Sequence, residues 1–97
     1  MPRGKRSPSH PGGILKRLYM EPLSLTITRL ADSLEVSRKT VSKITNEKGA
    51  ITPDMALRLS RALDTTPELW MNLQQAYDLW QARYESEAWK KVSSIAA

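Results

Sequence analysis

Between Arg38 and Asn46 the chain places an arginine, two lysines, a serine and an asparagine, with no carboxylate among them. On a helix, at ~100° per residue, Arg38, Ser42, Asn46, Lys39 and Lys43 fall at roughly 0°, 40°, 80°, 100° and 140°. Val41 and Ile44 fall near ~300° and ~240°, on the opposite side. One face is cationic and rich in hydrogen-bonding groups; the other is apolar. Arginine and lysine donate to O6 and N7 of guanine, an asparagine amide pairs with adenine, and a hydroxyl reaches bases or phosphates. Such a face can recognise the major groove of double-stranded DNA. A solvated helix face with incidental positive charge is the competing reading, and the apolar pattern around these residues weighs against it.

Catalytic chemistry has little to draw on. His10 is the chain's one histidine and there is no cysteine. A histidine before Pro-Gly is far more often a turn or cap residue than a catalyst. No glycine loop suits a phosphate, and no metal quartet is present. No catalytic residue, metal ligand or cofactor is therefore expected, and the chain is not read as an enzyme.

The elements that would carry the cationic face are helices. Ninety-seven residues, 40% of them hydrophobic, suit one folded domain. Without cysteine, stability must come from helix packing, aided by a second subunit if one is present. No apolar run is long enough to span a membrane, and no apolar signal core follows the basic start MPRGKRSPSH. A cytoplasmic location is expected. Residues 1–9 form an expected flexible basic arm, in which Arg3, Lys5 and Arg6 could meet phosphates or a minor groove. An unstructured tail is the plainer reading of that arm.

A first helix should start at Pro11, carry Ile14, Leu15 and Leu18 on its buried side, and end near Met20 ahead of Pro22. Thr26 is a good N-cap for a second helix with Leu30, Ala31 and Leu34 inward. Ser37 caps a third, from Arg38 to about Asn46. Asn46-Glu47-Lys48-Gly49 reads as a turn. Thr52-Pro53-Asp54 and Thr66-Pro67-Glu68 each combine a cap, a proline in the first turn and a carboxylate near the helix dipole's positive end. They start a fourth and a fifth helix, the latter running past Trp80. Residues 87–95 suggest a terminal helix or a tail. Strand signals are weak, so the expected class is all-α, a compact bundle of five to six helices. Its main domain spans 10–84 and its tail 85–97.

The second and third helices have the size of a helix-turn-helix over Ile27 to Asn46. Ala31, Val36, Val41 and Ile44 occupy its small and apolar positions. The second helix of such a pair lies in the major groove while the first rests across the backbone. The amide groups at the start of the first helix, with Thr26 beside them, can donate to a phosphate, and Arg29 adds charge. A plain helix cap is the alternative for Thr26, and both roles can coexist.

The motifs HPGGIL, VSRKTVSKI, ITPDMALRLSRAL and PELWMNLQQAYDLW resemble the HigA family of antitoxins, which are helix-turn-helix proteins of the Cro/repressor-like class. The resemblance covers His10 to about Trp80. It implies a five-helix core, a homodimer, a palindromic operator, and a partner: an mRNA-cleaving toxin that the antitoxin neutralises while repressing their shared operon. It assigns the cap and recognition helix to Ser37, Arg38, Lys39, Thr40, Ser42 and Lys43. Three positions depart from the pattern. Glu35 stands at the inter-helix turn where glycine is usual, Glu47 replaces a common glycine, and Ile27 occupies a site often polar in phage repressors. A stand-alone transcriptional regulator without a toxin would show the same DNA-binding half; a toxin-binding protein that has lost DNA binding is a further alternative.

Charge and aromatic content divide the chain. Residues 1–63 carry a balance of +7 and residues 64–97 one of −2, for a total of +5. The basic part suits nucleic acid; the acidic part suits a basic protein or serves solubility alone. All six aromatic residues are Trp or Tyr, and four of them lie between Trp70 and Tyr84. Leu69, Trp70 and Leu73 are expected to close the core. Tyr77, Trp80 and Tyr84 are candidates for a dimer or toxin interface, since Trp and Tyr are enriched there; core closure is the alternative for them too.

Overall fold

A computed structural model of the chain describes residues 7–96. The arm residues Arg3, Lys5 and Arg6 lie outside them. Five helices follow one another: α1 (Pro11–Ile14, continued by a π-helical segment, Leu15–Met20), α2 (Ile27–Leu34), α3 (Arg38–Thr45), α4 (Pro53–Leu63) and α5 (Pro67–Glu85). No strand occurs among the described residues. The expected all-α class and helix order are observed.

Four of the helices begin with the same device. The hydroxyls of Thr26, Ser37, Thr52 and Thr66 accept the amides of Arg29, Thr40, Met55 and Leu69 at 3.0, 3.1, 3.2 and 3.2 Å. Each satisfies one of the donors that a helix start leaves free. His10 does this for α1, its Nδ1 accepting the Gly12 amide at 2.9 Å. The lone histidine is a cap.

The first helix departs from its expected buried side. A Glu21 amide to Lys16 carbonyl bond, five residues back at 2.9 Å, widens the last turn. Residues five apart then share a face, so Leu15 and Met20 are buried while Leu18 is 61% exposed. The second correction concerns 87–95, where a terminal helix had been one expectation. Ala88–Lys91 forms one 3-10 turn, and the described residues after it are not helical. Trp89, Val92 and Ile95 are exposed; they lack the packed face from which short helices draw most of their stability.

The core joins Leu15 and Met20 to Leu30, Ala31 and Leu34 of α2, Val41 and Ile44 of α3, Ile51, then Met55, Ala56 and Leu59 of α4, and Trp70 of α5. Trp70 is fully buried, its Nε1 donating to Thr65 Oγ1 at 2.8 Å while the Tyr19 ring tilts against it at 5.4 Å. Leu69 and Leu73 pack at the edge of this core. Ile27 does so too, which accounts for an apolar residue at the start of α2.

Candidate nucleic-acid interface

The helix that carries the predicted face, α3, is only eight residues long. An isolated helix of that length is marginal in water, so its neighbours must hold it. Val41 and Ile44 anchor its inner side. α1 lies against its C-terminal half so closely that a Cβ at Gly12 would overlap the Ile44 carbonyl oxygen and stand 2.6 Å from the carbonyl carbon. Backbone meets backbone there, and only glycine fits.

The outer side carries the predicted contacts. Arg38, Lys39, Lys43 and Asn46 are exposed and Ser42 is half-buried. No acidic residue lies in the first turn, so the amides at the start of α3 and the two cations beside them form one positive end. Ser37 and Thr40 act as a capping pair. The Ser37 hydroxyl accepts the Thr40 amide and lies 2.9 Å from the Thr40 hydroxyl. The Asn46 amide donates to Ser42 Oγ at 3.3 Å, which aims both side chains along one edge of the face. Thr26 caps α2 and is itself exposed. The fold thus brings all eight predicted residues onto α3 and the start of α2.

Two supporting residues were not singled out as site residues from the sequence. Gln74, buried on α5, accepts the Ile51 amide with Oε1 at 2.7 Å and donates to Asp78 Oδ1 at 2.9 Å. It ties down the loop that follows α3. Arg58 on α4 donates through Nη1 to the carbonyl of Leu34 at 2.8 Å, and through Nε to Asp54 Oδ2, also at 2.8 Å. The Asp54–Arg58 spacing was a visible signal; the carbonyl 24 residues away was not.

The helix-turn-helix family profile matches residues 16–70. Antitoxin HigA-1 of Vibrio cholerae is 42% identical over 90 residues, covering 91% of this chain and 85% of its own length. The chain belongs to the helix-turn-helix family, in its HigA antitoxin branch. Solved relatives agree in shape. Antitoxin GraA in complex with its operator superposes with a TM-score of 0.86 at 41% identity, covering 100% of this chain and 99% of that one. Pseudomonas aeruginosa antitoxin HigA with the higBA promoter gives 0.82 at 36% identity, covering 91% and 98%.

Glu35 and Glu47 both take the left-handed backbone that glycine favours, with φ of 59° and 62°. The turns keep the glycine geometry without the glycine. The α5 aromatics also separate. The Tyr77 ring meets His10 edge-on at 4.8 Å and its hydroxyl accepts Gln81 Nε2 at 3.0 Å. Tyr77 therefore belongs to the α1–α5 packing. Trp80, half-buried, and Tyr84, 62% exposed, stand together with ring centroids 5.3 Å apart. Among the described residues no helix is long and apolar enough to cross a membrane, and no group of three His, Cys, Asp or Glu could hold a metal ion.

Proposed function

We propose that the chain is an antitoxin that represses its own operon. It acts in the cytoplasm, as a homodimer on a palindromic operator, and neutralises a cognate mRNA-cleaving toxin. The observation that carries the reading is the carboxylate-free outer face of α3, with Arg38, Lys39 and Lys43 exposed beside a capped, unshielded helix start. One such helix covers only a few base pairs, and a two-fold dimer reads two half-sites ~34–36 Å apart. The operator-bound relatives support the same use of this fold. Trp80 and Tyr84 on α5 offer a protein contact, to the second subunit or the toxin, on the side of the chain whose charge is acidic. The protein works by binding, and no catalytic role is assigned.

Two measurements test this. Gel-shift titration on the chain's own promoter should give a salt-dependent, sequence-specific complex of one dimer per palindrome. Co-expression with the product of the adjacent gene should yield a stable complex and relieve its toxicity. Operator binding without a protein partner would reduce the function to a stand-alone regulator. A toxin complex without operator binding would remove the repressor role.

A further inference from the structure

The turn between α2 and α3 is very short. Only Glu35 and Val36 separate Leu34 from the Ser37 cap. The direction in which α3 leaves α2 therefore hangs on the backbone angles of Glu35, φ 59° and ψ 44°. Two bonds close this helix end: the Val36 amide to the Ala31 carbonyl at 3.1 Å, and the Glu35 amide to the Asp32 carbonyl at 3.2 Å. A side chain with a Cβ pays for that conformation in steric strain, which glycine escapes.

Ser24, Glu47 and Asp64 share the left-handed geometry at other helix ends. Glu35 differs in having an arginine on it. Arg58 Nη1 donates to the Leu34 carbonyl at 2.8 Å and reaches the Glu35 carbonyl at 3.3 Å. Those are terminal carbonyls that α2 itself leaves without partners. The orientation of the Glu35 carbonyl is set by its ψ, so a charge-assisted bond to it favours the left-handed state. Asp54, in the first turn of α4, holds Arg58 Nε at 2.8 Å and fixes the plane of the guanidinium. A lysine, with a single point charge, could not hold both ends of this arrangement.

We propose that Arg58, aimed by Asp54, is a positioning residue for DNA reading: it clamps the strained Glu35 turn and so fixes the angle at which α3 is presented. The proposal rests on the DNA-reading function above. The strain at this turn comes from the Cβ of Glu35, so the importance of the clamp should vanish when glycine takes its place.

The test is a cycle on the full-length chain. Arg58→Met with Asp54→Asn removes the pair at constant net charge; Glu35→Gly is made alone and in that background. Affinity for operator and for an unrelated duplex of equal length is measured at one salt concentration, on protein shown by circular dichroism to be folded. Amide exchange of Val36 is measured without DNA. The pair variant should lose about tenfold in the ratio of operator to unrelated affinity, and Val36 should exchange about tenfold faster, the scale of coupling within one network. Glu35→Gly in the same background should restore both to within about twofold of Glu35→Gly alone. A merely stabilising arginine would leave the affinity ratio of folded protein unmoved. An unchanged ratio overturns the proposal whatever the exchange shows, as does failure of glycine to rescue. Should the wild-type chain prefer no operator, the DNA-reading function falls and with it the positioning role, while exchange and rescue still decide whether the clamp exists.

Discussion

Replacing Gln74 by leucine should destabilise the fold through one orphaned amide. Gln74 is 6% exposed and Ile51 is 2% exposed. The 2.7 Å bond from the Ile51 amide to Gln74 Oε1 is thus made away from water. Leucine is close in size, so the cavity contribution is small. What disappears is the acceptor, and a buried donor left without one costs ~1–3 kcal/mol. Asp78 also loses the Gln74 Nε2 donor, but Asp78 is exposed and water can replace it. At ~4–8 °C per kcal/mol for a domain near this size, the melting temperature should fall by ~4–24 °C. Urea and thermal unfolding by circular dichroism, at one fixed protein concentration because the proposed dimer would couple to stability, measure the loss. A change below ~0.3 kcal/mol would mean that water satisfies the Ile51 amide, and the assignment of Gln74 as the holder of that loop would fail.

Other perturbations separate the roles of the remaining residues. Gly12→Ala should cost at least about 2 kcal/mol in the same unfolding assay, because the new methyl meets Ile44 backbone rather than a side chain that can swing away. Lys43→Ala should flatten the plot of log affinity against log salt by about one phosphate contact per protomer, ~0.9 in slope, as read by fluorescence anisotropy. Arg38→Ala should lose ~1–3 kcal/mol of discrimination at one base pair per half-site, visible in selection from a randomised operator. An unchanged base preference would take Arg38 out of the groove.

Signals that act within four residues were legible. Thr26, Ser37, Thr52 and Thr66 are cap residues by type and position, and each hydroxyl takes the amide three residues on. The polar face of α3 follows from the same local arithmetic. The π-helical turn was not legible, because a period of 3.6 places Leu18 inward and only the widened turn sends it out. Nor were the long-range polar bonds: Gln74 to Ile51 spans 23 residues and Arg58 to Leu34 spans 24. Such pairs are fixed by how helices pack, which periodicity does not specify. The tail shows the converse failure. Trp89, Val92 and Ile95 repeat at helical spacing, yet α-helix formation depends on a surface to bury them against.

The α3 face is therefore a borrowed geometry. Its residues declare what it can touch, but eight residues cannot hold their own course. Three neighbours hold them: α1 through the Gly12–Ile44 approach, α5 through Gln74 and the loop after α3, and α4 through Arg58 at the turn before it. The first two act on the C-terminal side of α3, the third on its N-terminal side. Restraint at both ends fixes direction as well as position, and on the proposed function direction decides whether Arg38 and Asn46 reach base edges together. Substitutions at these supports should therefore blur base preference before they abolish binding, because phosphate attraction tolerates a misplaced helix and bidentate base contacts do not.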